Sequence, residues 1–337
     1  MNENENINIE YYHELIKPKD LKKKLPSSNI LFRNEIMNIL NDKDDRLLVI
    51  IGPCSIHNTD EALEYAKKLS KLREKFINKL FIIMRVYFEK PRTTIGWKGL
   101  INDPDLDNSC NINKGLYIAR KLMINISKLN LPIGCEFLDT ISPKFTCDLV
   151  SWGAIGARTT ESQCHRQLAS GLSMPIGFKN STNGNIHKAI DAIISCKYEH
   201  TFLGINQNNN SSIIKTKGNK YGHIILRGGD NMTNYDEDSV YNCYISMKKK
   251  NIKPNIIIDC SHGNSQKDYK KQPLVIENIC SQLKKNKRYI KGVMIESNIN
   301  EGNQNISDNL KYGVSITDSC ISLETTEEVL QKLYDSL

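Results

Sequence analysis

The sequence contains no apolar run that approaches the roughly 20 residues needed to span a membrane. Residues 1–20 are polar, and they carry Glu and Asn where a signal peptide would have an apolar segment. These absences argue against an integral membrane protein and against export. We therefore predict a cytoplasmic protein without a membrane partner.

The ten cysteines form no CxxC repeat and have no regular spacing. This argues against a disulfide framework and against a structural zinc cluster built from cysteines. Most of the cysteines are therefore expected to be small, buried apolar residues.

The net charge of +8 comes from scattered lysines rather than from one basic segment. A nucleic-acid binder is expected to present a basic face, so we predict no nucleic-acid partner. The excess of cations is compatible with anionic small molecules, provided that the cations converge.

Short apolar runs alternate with segments of helical periodicity, which is typical of a parallel sheet built from βα units. We predict strands at residues 47–55, 80–86, 133–138, 155–159, 175–180, 223–228, 255–261 and 292–297. Eight strands separated by helices favour an α/β fold of the (β/α)8 TIM-barrel type. The alternative is a doubly wound sheet.

Two features lie outside the eight repeating units. Residues 1–45 form an N-terminal extension that is either disordered or docked on another subunit, whereas residues 46–337 form the predicted catalytic barrel. Between residues 201 and 216, two short runs are joined by an Asn-rich link at 207–210. This pattern predicts an inserted β-hairpin at about 201–218.

In such a barrel the active site lies at the C-terminal ends of the strands. Every predicted end carries a charged or reactive residue, in chain order Cys54, Arg85, Glu136, Arg158, Lys179, Arg227, His262 and Glu296. Each one alone would usually be a packed cysteine, a hydrogen-bonded histidine or half of an ion pair. All eight together indicate a site, because uncompensated charges would repel at a cost of several kcal/mol.

The cations at these ends form one chemical group. Lys90 and Arg92 join them from the loop at residues 85–100, which also carries Trp97. Guanidinium groups bind phosphate and carboxylate groups bidentately, and there are more cations than one phosphate needs. We therefore predict two anionic ligands.

A second group combines sulfur, nitrogen and oxygen atoms. Cys54, His262 and Glu296 would be joined by Asp318 from the polar loop at 313–318. Such donors suit one divalent transition metal ion, namely Mn²⁺, Fe²⁺, Co²⁺ or Zn²⁺. The pattern does not select among these ions.

Six segments also carry a family resemblance: IGPCSIH at 51–57, MRVYFEKPRTT at 84–94, GARTTES at 156–162, GFKN at 177–180, ILRGG at 225–229 and DCSHGN at 259–264. They resemble class I 3-deoxy-D-arabino-heptulosonate 7-phosphate (DAHP) synthases from about residue 44 to the C-terminus. The resemblance implies a metal-dependent transferase that condenses phosphoenolpyruvate with erythrose 4-phosphate, the first step of the shikimate pathway to aromatic amino acids.

Carried over residue by residue, the resemblance implies a ligand for each group. The metal ligands would be Cys54, His262, Glu296 and Asp318. The phosphate of phosphoenolpyruvate would contact Ala157, Arg158 and Arg227, and its carboxylate Arg85 and Lys179; Lys90, Arg92 and Thr93 would face erythrose 4-phosphate. The predicted catalytic residues are Lys90, Glu136, Lys179 and His262, and Glu136 and Lys179 are our candidates for orienting the attacking water.

The resemblance also implies a homo-oligomer, either a dimer or a tetramer, with an aromatic amino acid as feedback inhibitor. The inhibitor would bind near the hairpin and the N-terminal arm of a neighbouring subunit, at positions matching Lys144, Leu172, Ser173, Phe202, Gly204 and Ile214. Gly204 leaves more room than the Ser of phenylalanine-sensitive members, which favours tyrosine. Loss of the inhibitor site is the alternative, because residues 1–43 match the family only loosely.

Three other functions compete with this interpretation. They are a 3-deoxy-D-manno-octulosonate 8-phosphate synthase, an inactive paralogue that senses amino acids, and a nucleic-acid binder. The KPRTT segment at 90–94 favours DAHP synthesis over the first. An inactive paralogue should have lost ligands, and none of the implied ligands is missing.

Overall fold

The computed structural model describes residues 13–27, 32–92, 94–285 and 289–337. The strands in these ranges are β1 (Leu47–Gly52), β2 (Leu80–Arg85), β3 (Ile133–Glu136), β4 (Trp152–Ile155), β5 (Ile176–Lys179), β6 (Thr201–Ile205), β7 (Ser211–Lys215), β8 (Gly222–Leu226), β9 (Ile256–Asp259) and β10 (Ile290–Glu296). Eight of them close into a parallel barrel in the order β1-β10-β9-β8-β5-β4-β3-β2. The predicted barrel is confirmed, and the doubly wound alternative is wrong.

Two of the described helices precede the first strand, and the others follow barrel strands and cover the outer face of the barrel. In chain order they are α1 (Pro18–Lys24), α2 (Arg33–Leu40), α3 (Thr59–Phe76), α4 (Ile112–Ser127), α5 (Pro143–Thr146), α6 (Gln163–Gly171), α7 (His187–Cys196), α8 (Glu237–Lys249), α9 (Gln272–Leu283) and α10 (Leu323–Asp335). Helix α3 begins where the side chain of Asn58 accepts hydrogen bonds from two backbone N–H groups, which satisfies donors that would otherwise be free. Within the described ranges, no helix is long and apolar enough to cross a membrane.

All eight barrel strands end one to four residues earlier than the sequence predicts, which places Cys54 and Arg227 just after β1 and β8. The pattern predicts the fourth strand at 155–159, but β4 spans Trp152–Ile155 and the chain then turns, because the carbonyl oxygen of Gly156 accepts hydrogen bonds from Thr159 and Thr160. Strand β9 ends at Asp259 instead of residue 261. Arg158 and His262 therefore lie in turns that follow their strands.

Alternate residues of each strand face the interior of the barrel. Leu48 and Ile50 of β1 and Phe81 and Ile83 of β2 belong to one buried cluster with inward residues of four other strands. The strand residues that alternate with these belong to a second buried cluster, which also contains side chains of the surrounding helices. Both faces of the strands are buried, which explains why the runs are continuously apolar.

Helix α2 closes the N-terminal end of the barrel. Phe32, Ile36, Ile39 and Leu40 join the same cluster as the interior side chains of the strands. Burial of each such side chain contributes about 1.5–3 kcal/mol relative to exposure. The described part of the N-terminal extension thus supplies the floor of the barrel core.

The predicted hairpin is confirmed as the antiparallel pair β6 and β7. Its turn contacts the N-terminal segment, because Lys19 donates its backbone N–H to the carbonyl oxygen of Gln207 at 3.1 Å. The Asn209 side chain donates to the carbonyl oxygen of Leu15 at 2.8 Å. The hairpin is therefore joined to α1 and to the segment before it on the outside of the barrel.

Candidate active site

A cavity of about 360 Å³ lies at the C-terminal end of the barrel, and we call it the mouth cavity. The predicted site residues in its wall are Arg85, Lys90, Arg92, Glu136, Ala157, Arg158, Lys179, Arg227, His262 and Asp318. Cys54 and Glu296 contact this wall through Asp318 and His262. Thr93 lies outside the described residues.

Strand alternation directs several of these charged side chains towards the barrel axis. Ile83 faces the interior, so Arg85, two residues later on β2, faces it as well. The same rule applies to Glu136, Lys179, Asp259 and Glu296 at the ends of their strands. A charged layer therefore lies directly on the apolar filling of the barrel, held by rigid strands.

Within the described part of the chain, two guanidinium groups at this cavity have N–H groups without a hydrogen-bond partner. Arg85 is completely buried and contacts Glu296, with Nη2 2.9 Å from Oε1. Its guanidinium carbon lies 4.0 Å from the centre of the Tyr87 ring. Nη1 of Arg85 and Nη1 of Arg227 are buried and have no hydrogen-bond partner among the described residues. Buried donors of this kind are costly unless an anion accepts from them.

Lys179 lies between two carboxylates. Its Nζ is 3.6 Å from Oε2 of Glu136 and 3.5 Å from Oδ2 of Asp259. Burial would raise the pKa of Glu136, but the charges of Lys179, Lys90, Arg85 and His262 outweigh this and lower it. Glu136 is therefore ionised at neutral pH and can accept a hydrogen bond.

The sulfur, nitrogen and oxygen donors converge on one side of the cavity. Ligand atoms of Cys54, Glu296 and Asp318 all lie within 4.8 Å of one another. The Nε2 atom of His262 is outside that group but only 3.7 Å from Oε1 of Glu296. The Nζ atom of Lys90 is 3.1 Å from Sγ of Cys54.

This set fits a divalent cation. Burial and the neighbouring Glu296 raise the pKa of the Cys54 thiol to about 12, so the sulfur needs an additional positive charge to ionise. Two carboxylates, a thiol and an imidazole together match the ligand preferences of first-row transition metals. The described residues therefore include a group that could hold a metal ion.

A second cavity, of about 600 Å³, lies outside the barrel between α5, α6 and the hairpin, and we call it the lateral cavity. Its wall contains all six positions that the sequence assigns to an effector, namely Lys144, Leu172, Ser173, Phe202, Gly204 and Ile214. Arg33 from α2 reaches this region, where it donates to Ser173 Oγ and, at 2.9 Å, to the carbonyl oxygen of Val150. The structure thus brings the six positions together.

The predicted site left out several residues, among them Tyr87, Asp230 and Lys267 of the mouth wall and Asp259 next to it. Tyr87 stacks on Arg85, and Asp259 contacts both Lys179 and His262. Asp259 was within reach of the pattern, because it ends the apolar run of β9. The prediction took His262 as the residue at the end of that strand, and it therefore left Asp259 out of the site.

Comparisons with known proteins agree on one family. The family model described as "DAHP synthetase I family" matches residues 19–331. The chain is 48% identical to a protein of Escherichia coli strain K12 named "Phospho-2-dehydro-3-deoxyheptonate aldolase, Tyr-sensitive", over 98% of this chain and 96% of that protein. It is 51% identical to a phenylalanine-inhibited aldolase of the same name from Saccharomyces cerevisiae, over 99% of this chain and 94% of that protein.

The fold agrees with a solved relative. The structure of phospho-2-dehydro-3-deoxyheptonate aldolase from Francisella tularensis SCHU S4 superimposes with a TM-score of 0.95 at 50% identity. The match covers 98% of each chain. On the evidence of sequence and fold over nearly its whole length, the chain belongs to the DAHP synthetase I family of enzymes.

Proposed function

We propose that this chain condenses phosphoenolpyruvate with D-erythrose 4-phosphate and water to give DAHP and phosphate. The observation that carries the proposal is the pairing of two features in one cavity. Buried guanidinium N–H groups of Arg85 and Arg227 without a partner among the described residues lie beside the group formed by Cys54, Glu296 and Asp318. Such a cavity suits two anionic substrates that react next to a metal ion.

The cations divide between the two substrates. Arg158 and Arg227, with the backbone of Ala157, bind the phosphate of phosphoenolpyruvate, and Arg85 and Lys179 bind its carboxylate. Lys90, Arg92 and Thr93 bind erythrose 4-phosphate. Bringing two polyanions together is opposed by charge and by lost entropy, so this arrangement itself contributes a large part of the rate enhancement.

The metal ligands are Cys54, His262, Glu296 and Asp318, and the ion is Mn²⁺, Fe²⁺, Co²⁺ or Zn²⁺. These residues would hold the ion, which would supply Lewis-acid polarisation of the aldehyde of the sugar. The nearby ammonium group of Lys90, 3.1 Å from the Cys54 sulfur, adds positive charge on the same side of the cavity.

The remaining steps use groups of the chain itself. A bond forms between C3 of phosphoenolpyruvate and the aldehyde carbon, water adds at C2, and phosphate leaves with cleavage of its bond to C2. Glu136 is ionised and accepts a hydrogen bond from that water, while Lys179, 3.6 Å away, orients the pair.

The lateral cavity binds an aromatic amino acid that inhibits the enzyme. Relatives named as Tyr-sensitive, tyrosine-inhibited and phenylalanine-inhibited support an effector of this class. Gly204 favours tyrosine, because a Cβ at this position would lie 2.9 Å from Cγ1 of Ile214 and would narrow the cavity. Measuring activity at increasing concentrations of each aromatic amino acid tests this proposal. If none of them inhibits the enzyme, the proposal is contradicted.

We further propose a homo-oligomer, a dimer or a tetramer. Leu203 and Ile213 are cross-strand partners in the hairpin, and they are 87% and 76% exposed. An exposed apolar pair on a hairpin supports a contact with another chain. Light scattering that finds only monomers at micromolar concentration would contradict this proposal.

The main proposal is tested by an assay for the product with two sugar phosphates. We expect activity with erythrose 4-phosphate, little with arabinose 5-phosphate, and loss of activity after treatment with a chelator. Preference for arabinose 5-phosphate would instead support a 3-deoxy-D-manno-octulosonate 8-phosphate synthase. Activity that survives complete metal removal would contradict the role of the metal.

A further inference from the structure

Asp259 at the end of β9 has no exposed surface, and none of the roles proposed above uses it. A buried carboxylate is strongly unfavourable unless nearby charges and hydrogen bonds compensate it. Its compensation comes from residues of the mouth cavity, so its contacts are informative about that site.

The two oxygens of Asp259 have different partners. Oδ1 accepts hydrogen bonds from the backbone N–H of Ser261 at 3.0 Å and from its Oγ at 2.7 Å, which stabilises the turn after β9. Oδ2 is 3.0 Å from Nδ1 of His262 and 3.5 Å from Nζ of Lys179. No described residue donates a well-aligned hydrogen bond to Oδ2, so these two contacts are electrostatic.

His262 has a defined orientation between two groups of acceptors. On one side, Nδ1 faces Asp259 and lies 2.7 Å from Oγ of Ser261. On the other side, Nε2 is 3.7 Å from Oε1 of Glu296, next to Cys54 and Asp318. A carboxylate at Nδ1 favours the tautomer with the proton on that nitrogen, which leaves the lone pair of Nε2 free for a metal ion.

We propose that Asp259 is a positioning residue that orients the His262 imidazole towards the metal group and holds the Lys179 ammonium beside the phosphoenolpyruvate carboxylate. It acts through Oδ2 on both residues, whereas Oδ1 serves the turn. This inference rests on the proposed function, because it names what aligns two of that site's residues.

Asp259→Asn separates the two ends of the side chain. The amide can keep an oxygen acceptor for Ser261 while it places a neutral NH₂ group where Oδ2 faces His262 and Lys179. An NH₂ donor opposite Nδ1 favours the wrong tautomer of His262. The control is Asp148→Asn, which removes a carboxylate that pairs with Arg120 at 2.9 Å, outside the mouth wall.

The experiment measures metal binding independently of catalysis. Full-length protein is stripped of metal, and Co²⁺ is titrated by calorimetry and by its visible absorption. For Asp259→Asn we expect Co²⁺ affinity to fall by about 10–100-fold, with a changed absorption spectrum. The KM for phosphoenolpyruvate should rise too, whereas Asp148→Asn should match wild type. Ser261→Ala, which keeps the carboxylate, should lose less affinity than Asp259→Asn.

Folded Asp259→Asn protein with wild-type Co²⁺ affinity and spectrum would overturn the inference. A second measurement needs no folded variant at Asp259: in metal-free wild type with ¹⁵N-labelled histidine, the His262 signal, assigned by its absence from His262→Gln, should report a proton on Nδ1. A proton on Nε2 would also overturn the inference. Wild type that makes no DAHP would instead contradict the proposed function, so the two failures are distinguishable.

Discussion

The mouth cavity and the lateral cavity are built from different parts of the chain and use different physical chemistry. The first is lined by charged side chains at the ends of barrel strands, where Arg85, Glu136 and Lys179 are nearly or completely buried. The second is lined largely by apolar side chains of two helices and the hairpin, such as Leu172, Phe202 and Ile214. Changes of charge in the first should therefore have larger effects than changes of shape in the second.

Glu89 connects a segment of the mouth cavity to a segment of the lateral cavity. Glu89 precedes Lys90 of the mouth and accepts a hydrogen bond from Oγ of Ser142 at 2.9 Å. Ser142 precedes Pro143, which lines the lateral cavity. A change at Glu89 should thus affect the stability of this connection rather than ligand binding in either cavity.

The largest effect is expected for Cys54→Ala, which removes the proposed sulfur ligand of the metal ion. We expect kcat/KM to fall roughly 10³-fold, because Lewis-acid stabilisation contributes several kcal/mol and each 1.4 kcal/mol corresponds to a factor of ten. Steady-state kinetics with saturating metal measures this. Cys110→Ala changes an exposed thiol and is the control. Retention of activity by Cys54→Ala would contradict the assigned ligand.

The next effect concerns Arg92, which lies in the mouth wall but is exposed. Arg92→Ala should raise the KM for erythrose 4-phosphate by about 10–100-fold, because a hydrogen bond to a charged group contributes about 1.5–3 kcal/mol. The KM for phosphoenolpyruvate should stay nearly constant. Lys98→Ala removes an exposed cation of the same loop that is absent from the mouth wall, and it serves as the control. Unchanged kinetics with erythrose 4-phosphate would refute the assignment.

In the lateral cavity, Gly204→Ser should weaken inhibition by tyrosine by about 5–50-fold without lowering kcat. The added side chain meets Ile214 and displaces it, and overpacking of this kind costs about 1–3 kcal/mol. Inhibition curves for tyrosine and phenylalanine measure the change. Asn208→Ala, in the turn of the same hairpin and outside the cavity wall, is the control. Wild-type inhibition of Gly204→Ser would contradict the proposed location of the effector.

The smallest effect is expected for Glu89, which connects segments of the two cavities. Burial, together with the charge of Asp139, raises the pKa of Glu89 to about 7 from its usual 4.5. The folded state therefore binds a proton at Glu89 more readily than the unfolded state does. The stabilisation that this gives is fully present below pH 4.5 and is lost as the pH rises through 7. In urea denaturation at about pH 8, the free energy of unfolding of Glu89→Gln should be about 1 kcal/mol higher than that of wild type. This difference should shrink at about pH 5. Equal differences at both pH values would exclude Glu89 as the titrating group.

Much of the mouth cavity could be predicted because the apolar runs of the strands and the helical periodicity between them are visible in the sequence. Continuous apolar runs identified the barrel strands, and residues at their ends were expected to converge, as Arg85, Glu136 and Lys179 do. The errors have local causes. The short strand β4 includes Gly153 and is followed by a turn with two hydrogen bonds to one carbonyl oxygen, which no periodicity reveals. Asp259 was missed because the strand boundary was placed two residues too late.

The sequence by itself determined the order of strands and helices, the charges at the mouth and the family resemblance, because these depend on residues that are near each other in the chain or on recognisable motifs. Only the tertiary structure decided which distant residues touch. It put α2 under the barrel, Asp259 between Lys179 and His262, and Glu89 against Ser142. Such contacts follow from the closure of the barrel and from side-chain packing, since these bring together residues that are far apart in the sequence, such as Ile36 of α2 and Met294 of β10.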